Sequence, residues 1–410
     1  MILKQEILSL ASTLQLPPTT VEKDYVLSWV LHGISQDTKL SEWFFKGGTC
    51  LKKCYFETYR FSEDLDFTVP IGAIYSEDDI KIALNNIADS VYENTGINLR
   101  AREIEVKESI NKNGRKTYVA KYTYTGPLNL PSRNQQRVKF DITDDETIVD
   151  AHDMREVFHL YSDAPSVPGK VRCYSVNEIL AEKTRAIYER QGRARDIYDI
   201  VNISRSFREY VDINIARAGL RKKFDFKSLP TPSVELILSQ LDFAQLKAGW
   251  GDQLGHQLEM LPPVESFYND LRPALSWWID ERPVEPVLAT ISHVKNEISL
   301  PRVHFPAPAV MQARRLGVGR HASMASSIYM DQIRYAARNR LYIEVEYHGV
   351  RRLVEPYSLR QPSTGNQLLY VYELTKGAVR TDDIRSYKIN EIMAAEVKQQ
   401  AFSPRYMVEL

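Results

Sequence analysis

Cysteine is nearly absent from this chain of 410 residues: Cys50, Cys54 and Cys173 are its full complement. Three thiols cannot all pair, which excludes a disulfide framework. Cys50 and Cys54 stand four apart in a predicted helix and Cys173 stands alone, so the spacing does not describe a zinc knuckle either. An excess of one charge sign is also lacking. Lys+Arg and Asp+Glu number 53 each, which argues against a protein that coats polyanions generally but leaves room for a local basic groove. No apolar run reaches membrane-spanning length, and the start Met1-Ile2-Leu3-Lys4-Gln5-Glu6 has no signal-peptide pattern. These absences read as a soluble, cytoplasmic protein without a membrane partner.

The length itself predicts two or three domains. Residues 1–40 read as helices, and Phe44-Phe45-Lys46 as a short apolar run into a Gly47-Gly48 turn with a helix from Thr49 to about Tyr59. An amphipathic helix is expected over 78–94. Strand-like alternation follows over 117–124 and in Arg137-Val138-Lys139-Phe140-Asp141-Ile142-Thr143. Residues 176–205 turn helical again, and 208–283 are helical with breaks at Leu229-Pro230-Thr231-Pro232 and Leu261-Pro262-Pro263. Prolines accumulate between about 283 and 323. A helix at Tyr329–Asn339 then precedes several short strands with turn signals, the pattern of a small β-barrel.

The chemistry concentrates around Gly47-Gly48-Thr49 and Arg60-Phe61-Ser62-Glu63-Asp64-Leu65-Asp66-Phe67. A strand at Asp64 has a period of two, which puts Asp64 and Asp66 on one face and Leu65 and Phe67 on the other. Two carboxylates there, beside a glycine turn that lets backbone approach phosphate, make a minimal site for a Mg²⁺ (or Mn²⁺) nucleotide. Such a site points to nucleotidyl transfer from an NTP. Asp141 is the expected third metal ligand, on the polar side of its strand with Lys139, although Asp144 and Asp145 lie close enough to substitute. Thr49 and Ser62 can donate to phosphate oxygens, and Arg60 can do so with charge assistance unless it pairs with Glu57 or Glu63. Lys183 and Arg190 fall two turns apart on one helix face, where they could meet a triphosphate; a solvated helix face is the plainer account of those charges.

Together, Val21-Glu22-Lys23-Asp24-Tyr25, Lys46-Gly47-Gly48-Thr49-x-Leu51, Arg60-Phe61-Ser62-x-Asp64-x-Asp66, Lys139-x-Asp141, Ala181-Glu182-Lys183, Arg190 and Arg195-Asp196-x-Tyr198-Asp199 resemble the AbiEii/AbiGii toxin family. That family includes the MenT toxins and lies within the polymerase-β-like nucleotidyltransferases. The resemblance covers roughly residues 15–280. It implies an α+β fold, a mixed sheet with helices and a helical C-terminal half. It makes Asp64 and Asp66 metal ligands, and Gly47, Gly48 and Ser62 nucleotide contacts. Lys183 becomes a phosphate-binding lysine, and Asp196 an acidic residue needed for activity. It also implies transfer of NMP to an acceptor, in known cases the tRNA 3′ end, and a separately encoded antitoxin partner.

Within about 325–405, Ile333 with Ala337, Ile343-x-Val345-x-Tyr347-x-Gly349, Arg352-x-Val354-Glu355-Pro356-Tyr357, Leu369-Tyr370-Val371 and Ile384-Arg385-Ser386-Tyr387-Lys388-Ile389-Asn390-Glu391-Ile392 resemble a WYL domain, an Sm/SH3-like barrel, although the Trp-Tyr-Leu signature is replaced by Leu368-Leu369-Tyr370. Tyr347, Arg352, Arg380 and Arg385 are its candidate ligand-binding residues, for nucleic acid or a nucleotide. The expected organisation is a nucleotidyltransferase core (1–205), a helical subdomain (206–283), a linker (284–324) and a WYL-like barrel (325–410). The expected function is a toxin or phage-defence effector with a regulatory C-terminal domain. The alternative is a non-enzymatic regulator that senses NTP or binds nucleic acid.

Overall fold

A computed structural model describes residues 1–57, 59–70, 76–110, 114–150, 153–280, 288–291, 321–360 and 367–410, without the side chains of 321–328. The linker expected at 284–324 falls almost wholly outside them. The chain divides into two compact units, one of residues 1–199 with 210–259, the other of 200–209 with 260–410. The division cuts through both the expected core and the expected helical subdomain.

The first unit is built on a seven-stranded mixed sheet. Its strands are β1 (Phe44–Lys46), β2 (Asp64–Thr68), β3 (Glu105–Ile110), β4 (Lys116–Thr123), β5 (Arg137–Thr143), β6 (Asp153–Glu156) and β7 (Lys170–Cys173), in the order β3-β4-β5-β2-β1-β7-β6. β2 pairs parallel with β5, and β1 parallel with β7; the remaining pairs are antiparallel. Alternation explains the central strands. Leu65, Phe67, Val138, Phe140 and Ile142 are almost fully buried, while Asp64, Asp66, Lys139 and Asp141 are half-buried on the other face. Phe45 and Trp43 pack on Phe67, and Tyr122 on Phe140.

Helices α1 (Lys4–Thr13) and α2 (Pro18–Gln36) precede the sheet. α2 is buried nearly all round, and proline at its first position supplies the fixed φ suited to a helix start. Between β1 and β2 the chain forms α3 (Gly47–Cys50), which widens into a π-helical turn over Leu51–Tyr55. The expected helix therefore starts at the glycines and ends early. α4 (Glu77–Thr95) carries a Ser76/Asp79 capping box and stops at Gly96 in the left-handed region. After β7 come α5 (Val176–Arg190), capped by Ser175, and α6 (Ala194–Ser206), then α7 (Ile213–Phe226), α8 (Val234–Leu238) and α9 (Phe243–Leu254).

In the second unit, α10 (Val264–Ile279) and α11 (His321–Asn339) accompany β8 (Leu341–Tyr347), β9 (Val350–Arg360), β10 (Leu368–Lys376), β11 (Val379–Lys388) and β12 (Ile392–Ala401). These strands form an antiparallel five-stranded sheet, ordered β11-β10-β9-β8-β12. Ile333 and Ala336 of α11 join Ile343, Val345, Leu369 and Val371 in its core. No helix among the described residues is long and apolar enough to cross a membrane.

Candidate active site

The parallel ladder sets Asp66 beside Asp141 and Asp64 beside Lys139, and the antiparallel ladder sets Lys46 beside Asp66. In-register neighbours point to the same face, so five charged side chains from three strands share one patch. Burial raises the Asp66 carboxyl, and Asp141, Asp64 and Glu182 raise it further against the opposing pull of Lys46, to about 6. Carboxylates crowded enough to hold a proton near neutrality would gain from a cation between them. The donor chemistry suits a hard divalent ion, although the oxygens of Asp64, Asp66 and Asp141 do not all lie within 4.8 Å of one another. Lys139 Nζ lies 2.6 Å from Asp141 Oδ2 and Arg195 Nη1 lies 3.8 Å from Asp64 Oδ2. Asp144 and Asp145 have other roles: Asp144 accepts from the Lys116 amide at 2.7 Å, and Asp145 pairs with Lys227 at 2.7 Å.

The glycine turn sits against this patch. Gly47 has φ +78°, and a Cβ on it would come 2.5 Å from Asp66 Oδ2. Glycine is thus required there both by conformation and by space. A Cβ on Gly48 would collide with the Arg60 guanidinium. Thr49 donates to the Asp64 carbonyl and lies 2.9 Å from Ser62 Oγ, tying the turn to the strand that carries the aspartates. Thr49 and Ser62 are both buried.

Arg60, expected to reach phosphate or to pair with Glu57 or Glu63, is placed elsewhere. Its guanidinium is buried, with Nε 2.7 Å from Asp199 Oδ1, Nη2 2.7 Å from Asp199 Oδ2 and Nη1 2.8 Å from Gln257 Oε1. Lys183 Nζ lies 2.7 Å from Asp199 Oδ2 and 2.9 Å from Asp196 Oδ1. Two cations and two carboxylates make a neutral buried cluster. Burial alone would raise Asp199, but Arg60 and Lys183 overcome it and hold the carboxyl at about 2. Lys183 and Asp196 are therefore brought together, whereas Arg190 is exposed at the end of α5. The spacing of residues did not single out Asp199, Lys46, Glu182 or Arg195 as site residues. Lys46 and Glu182 pair at 2.7 Å beside Asp66. All four stood within the quoted motifs, and only the fold shows what they touch.

In the second unit, Tyr347 stacks on Tyr387 with ring centroids 4.7 Å apart, and the Arg352 guanidinium lies over both rings. Arg352 Nη1 is 2.9 Å from Glu373, a buried carboxylate that also accepts from Tyr387 and has Arg385 Nε at 3.9 Å. Arg380 is apart from this group, exposed and paired with Asp382. Leu369 and Tyr370 are core residues.

Carboxylates in register under a glycine turn, on a mixed sheet flanked by helices, define the class of nucleotidyltransferases. Residues 29–281, more than half of the chain, match the family described as "Nucleotidyl transferase AbiEii toxin, Type IV TA system", and the chain belongs to that family. It is a nucleotidyltransferase. Among solved structures it is similar to MenT4, a nucleotidyltransferase toxin from Mycobacterium tuberculosis H37Rv. That match has 20% identity and a TM-score of 0.46, over 68% of this chain and 88% of that one. No curated protein sequence matches significantly.

Proposed function

We propose that this chain is a metal-dependent toxin that transfers NMP from an NTP to an RNA acceptor, with the tRNA 3′ end as the preferred target. The observation that carries the reading is the register of Asp64, Asp66 and Asp141 on one sheet face beside Gly47. These aspartates would hold Mg²⁺ or Mn²⁺, which when bound neutralises phosphate charge and stabilises the attacking and leaving oxygens. Gly47, Gly48, Thr49 and Ser62 shape the floor for the triphosphate. Arg195 and Lys139, at the edge of the patch, are better placed than Arg60 to meet phosphate oxygens, since Arg60 is committed to Asp199. Lys183 and Asp196 position α5 and α6 behind the site.

Residues 325–410 act in this reading as a WYL-like regulatory domain. The exposed edge of the Tyr347, Arg352 and Arg385 group suits a nucleobase or single-stranded nucleic acid, because aromatic rings beside guanidinium groups stack on any base. A cognate antitoxin would restrain the enzyme.

The test is incubation of the full chain with Mg²⁺, each α-³²P-labelled NTP and total RNA plus protein extract, resolved on denaturing gels. A labelled band in the tRNA range that disappears in Asp64→Ala supports the proposal. A labelled protein band would move the acceptor to a protein hydroxyl, and label retained in a folded Asp64→Ala variant would sink the metal assignment.

A further inference from the structure

Cys173 does not stand alone. β1 and β7 run parallel with Phe45 opposite Cys173, which carries that residue behind α3 and its π-helical extension, where Cys50 and Cys54 sit. The three Sγ atoms lie within 4.8 Å of one another, and all three residues are at most 2% exposed. Among the described residues this is the one group of three metal-type donors so close together, and no histidine or carboxylate joins it. Cysteine packs well as a small hydrophobe, and burial alone would be explained that way. Convergence of every thiol in a 410-residue chain on one point is not.

Arg155 Nε donates to the Cys54 carbonyl at 3.2 Å, and its guanidinium lies 4.3 Å from the Tyr55 ring centroid, which brings a positive charge beside the thiols. Metal–sulfur bonds of about 2.3 Å place sulfur atoms about 3.8 Å apart around a tetrahedral ion and about 4.0 Å apart around a trigonal one, so closing the trio takes inward shifts of about 1 Å or less. Thiolates select soft ions, and a set of three with no fourth protein donor fits a three-coordinate ion better than a tetrahedral one.

We propose that Cys50, Cys54 and Cys173 form a buried binding site for a thiophilic d¹⁰ metal ion, Cu(I) by preference over Zn²⁺. The site is separate from the aspartate patch. It lies on the chain immediately after Gly47-Gly48-Thr49, so the ion would pin the base of the glycine turn to β7.

The full-length, reduced, metal-free protein is titrated anaerobically with Cu(I) held by a colorimetric chelator, and in a second arm with Zn²⁺. One Cu(I) per chain is expected, with sulfur-to-metal ultraviolet absorption and a raised melting temperature. Cys173→Ser and Cys54→Ala, each confirmed as folded by circular dichroism, should bind roughly a hundredfold more weakly. Zn²⁺ uptake with the same dependence on both cysteines supports the site and assigns it to the other ion. Failure of the wild type to take up either ion overturns the proposal, as does equal uptake by both variants. A mass deficit of two hydrogens in the protein as purified also overturns it, by showing that two of the thiols pair with each other.

Discussion

Asp66 is held between opposing influences, with burial and three neighbouring carboxylates raising its pKa to about 6 and Lys46 opposing them. Between the ordinary carboxyl value of about 4 and this one, the folded chain keeps a proton that the unfolded chain has released. Stability contributed by this group is therefore present at low pH and declines as pH climbs towards about 6. Asp66→Asn removes the charge that the fold disfavours. Without metal at pH 7 it should melt higher than wild type, by about 1–2 kcal/mol after allowance for solvent screening, while losing nucleotide incorporation. Differential scanning calorimetry beside the labelling assay checks both. A variant that melts lower would show that the carboxylate is not crowded. Wild-type activity should rise with pH through about 6, as the carboxylate becomes free to bind metal.

The tie between α5 and α6 rests on Asp199, which receives Arg60, Lys183 and the Tyr59 hydroxyl at once. Asp199→Asn leaves two buried cations short of an anion, a change expected to cost about 3–5 kcal/mol. Urea denaturation should show a large fall in midpoint, well beyond that of Asp196→Asn, whose carboxylate reaches Lys183 alone among these cations. Equal losses would make the two aspartates equivalent and contradict the geometry. The strands of the site were legible in the sequence because alternation is short-range: Asp64-Leu65-Asp66-Phe67 and Lys139-Phe140-Asp141-Ile142 declare their faces without any partner. The role of Arg60 was not legible. Its partner Asp199 lies 139 positions away, and an arginine beside glutamates reads locally as a surface pair. Cys173 was missed for the same reason, since only the parallel pairing of β1 with β7 brings it to Cys50 and Cys54.

At the scale of the whole chain, two compact units with separate sheets predict two unfolding transitions. Mg²⁺ with a non-hydrolysable NTP should raise only the transition of the unit that carries Asp64, Asp66 and Asp141. At a hundred times the dissociation constant the gain is about 2.7 kcal/mol. Scanning calorimetry with and without ligand tests this, and one transition that shifts as a whole would show that the units unfold together. The glycine turn has a consequence of another kind, in genetics. At Gly47 any side chain meets the Asp66 carboxylate, and at Gly48 any side chain meets Arg60. If the chain poisons its host when unrestrained, cells that survive its expression through single missense changes will carry many different codons at these two positions. Exposed positions such as Glu42 and Glu57, which tolerate most replacements, will be nearly silent in the same collection of survivors.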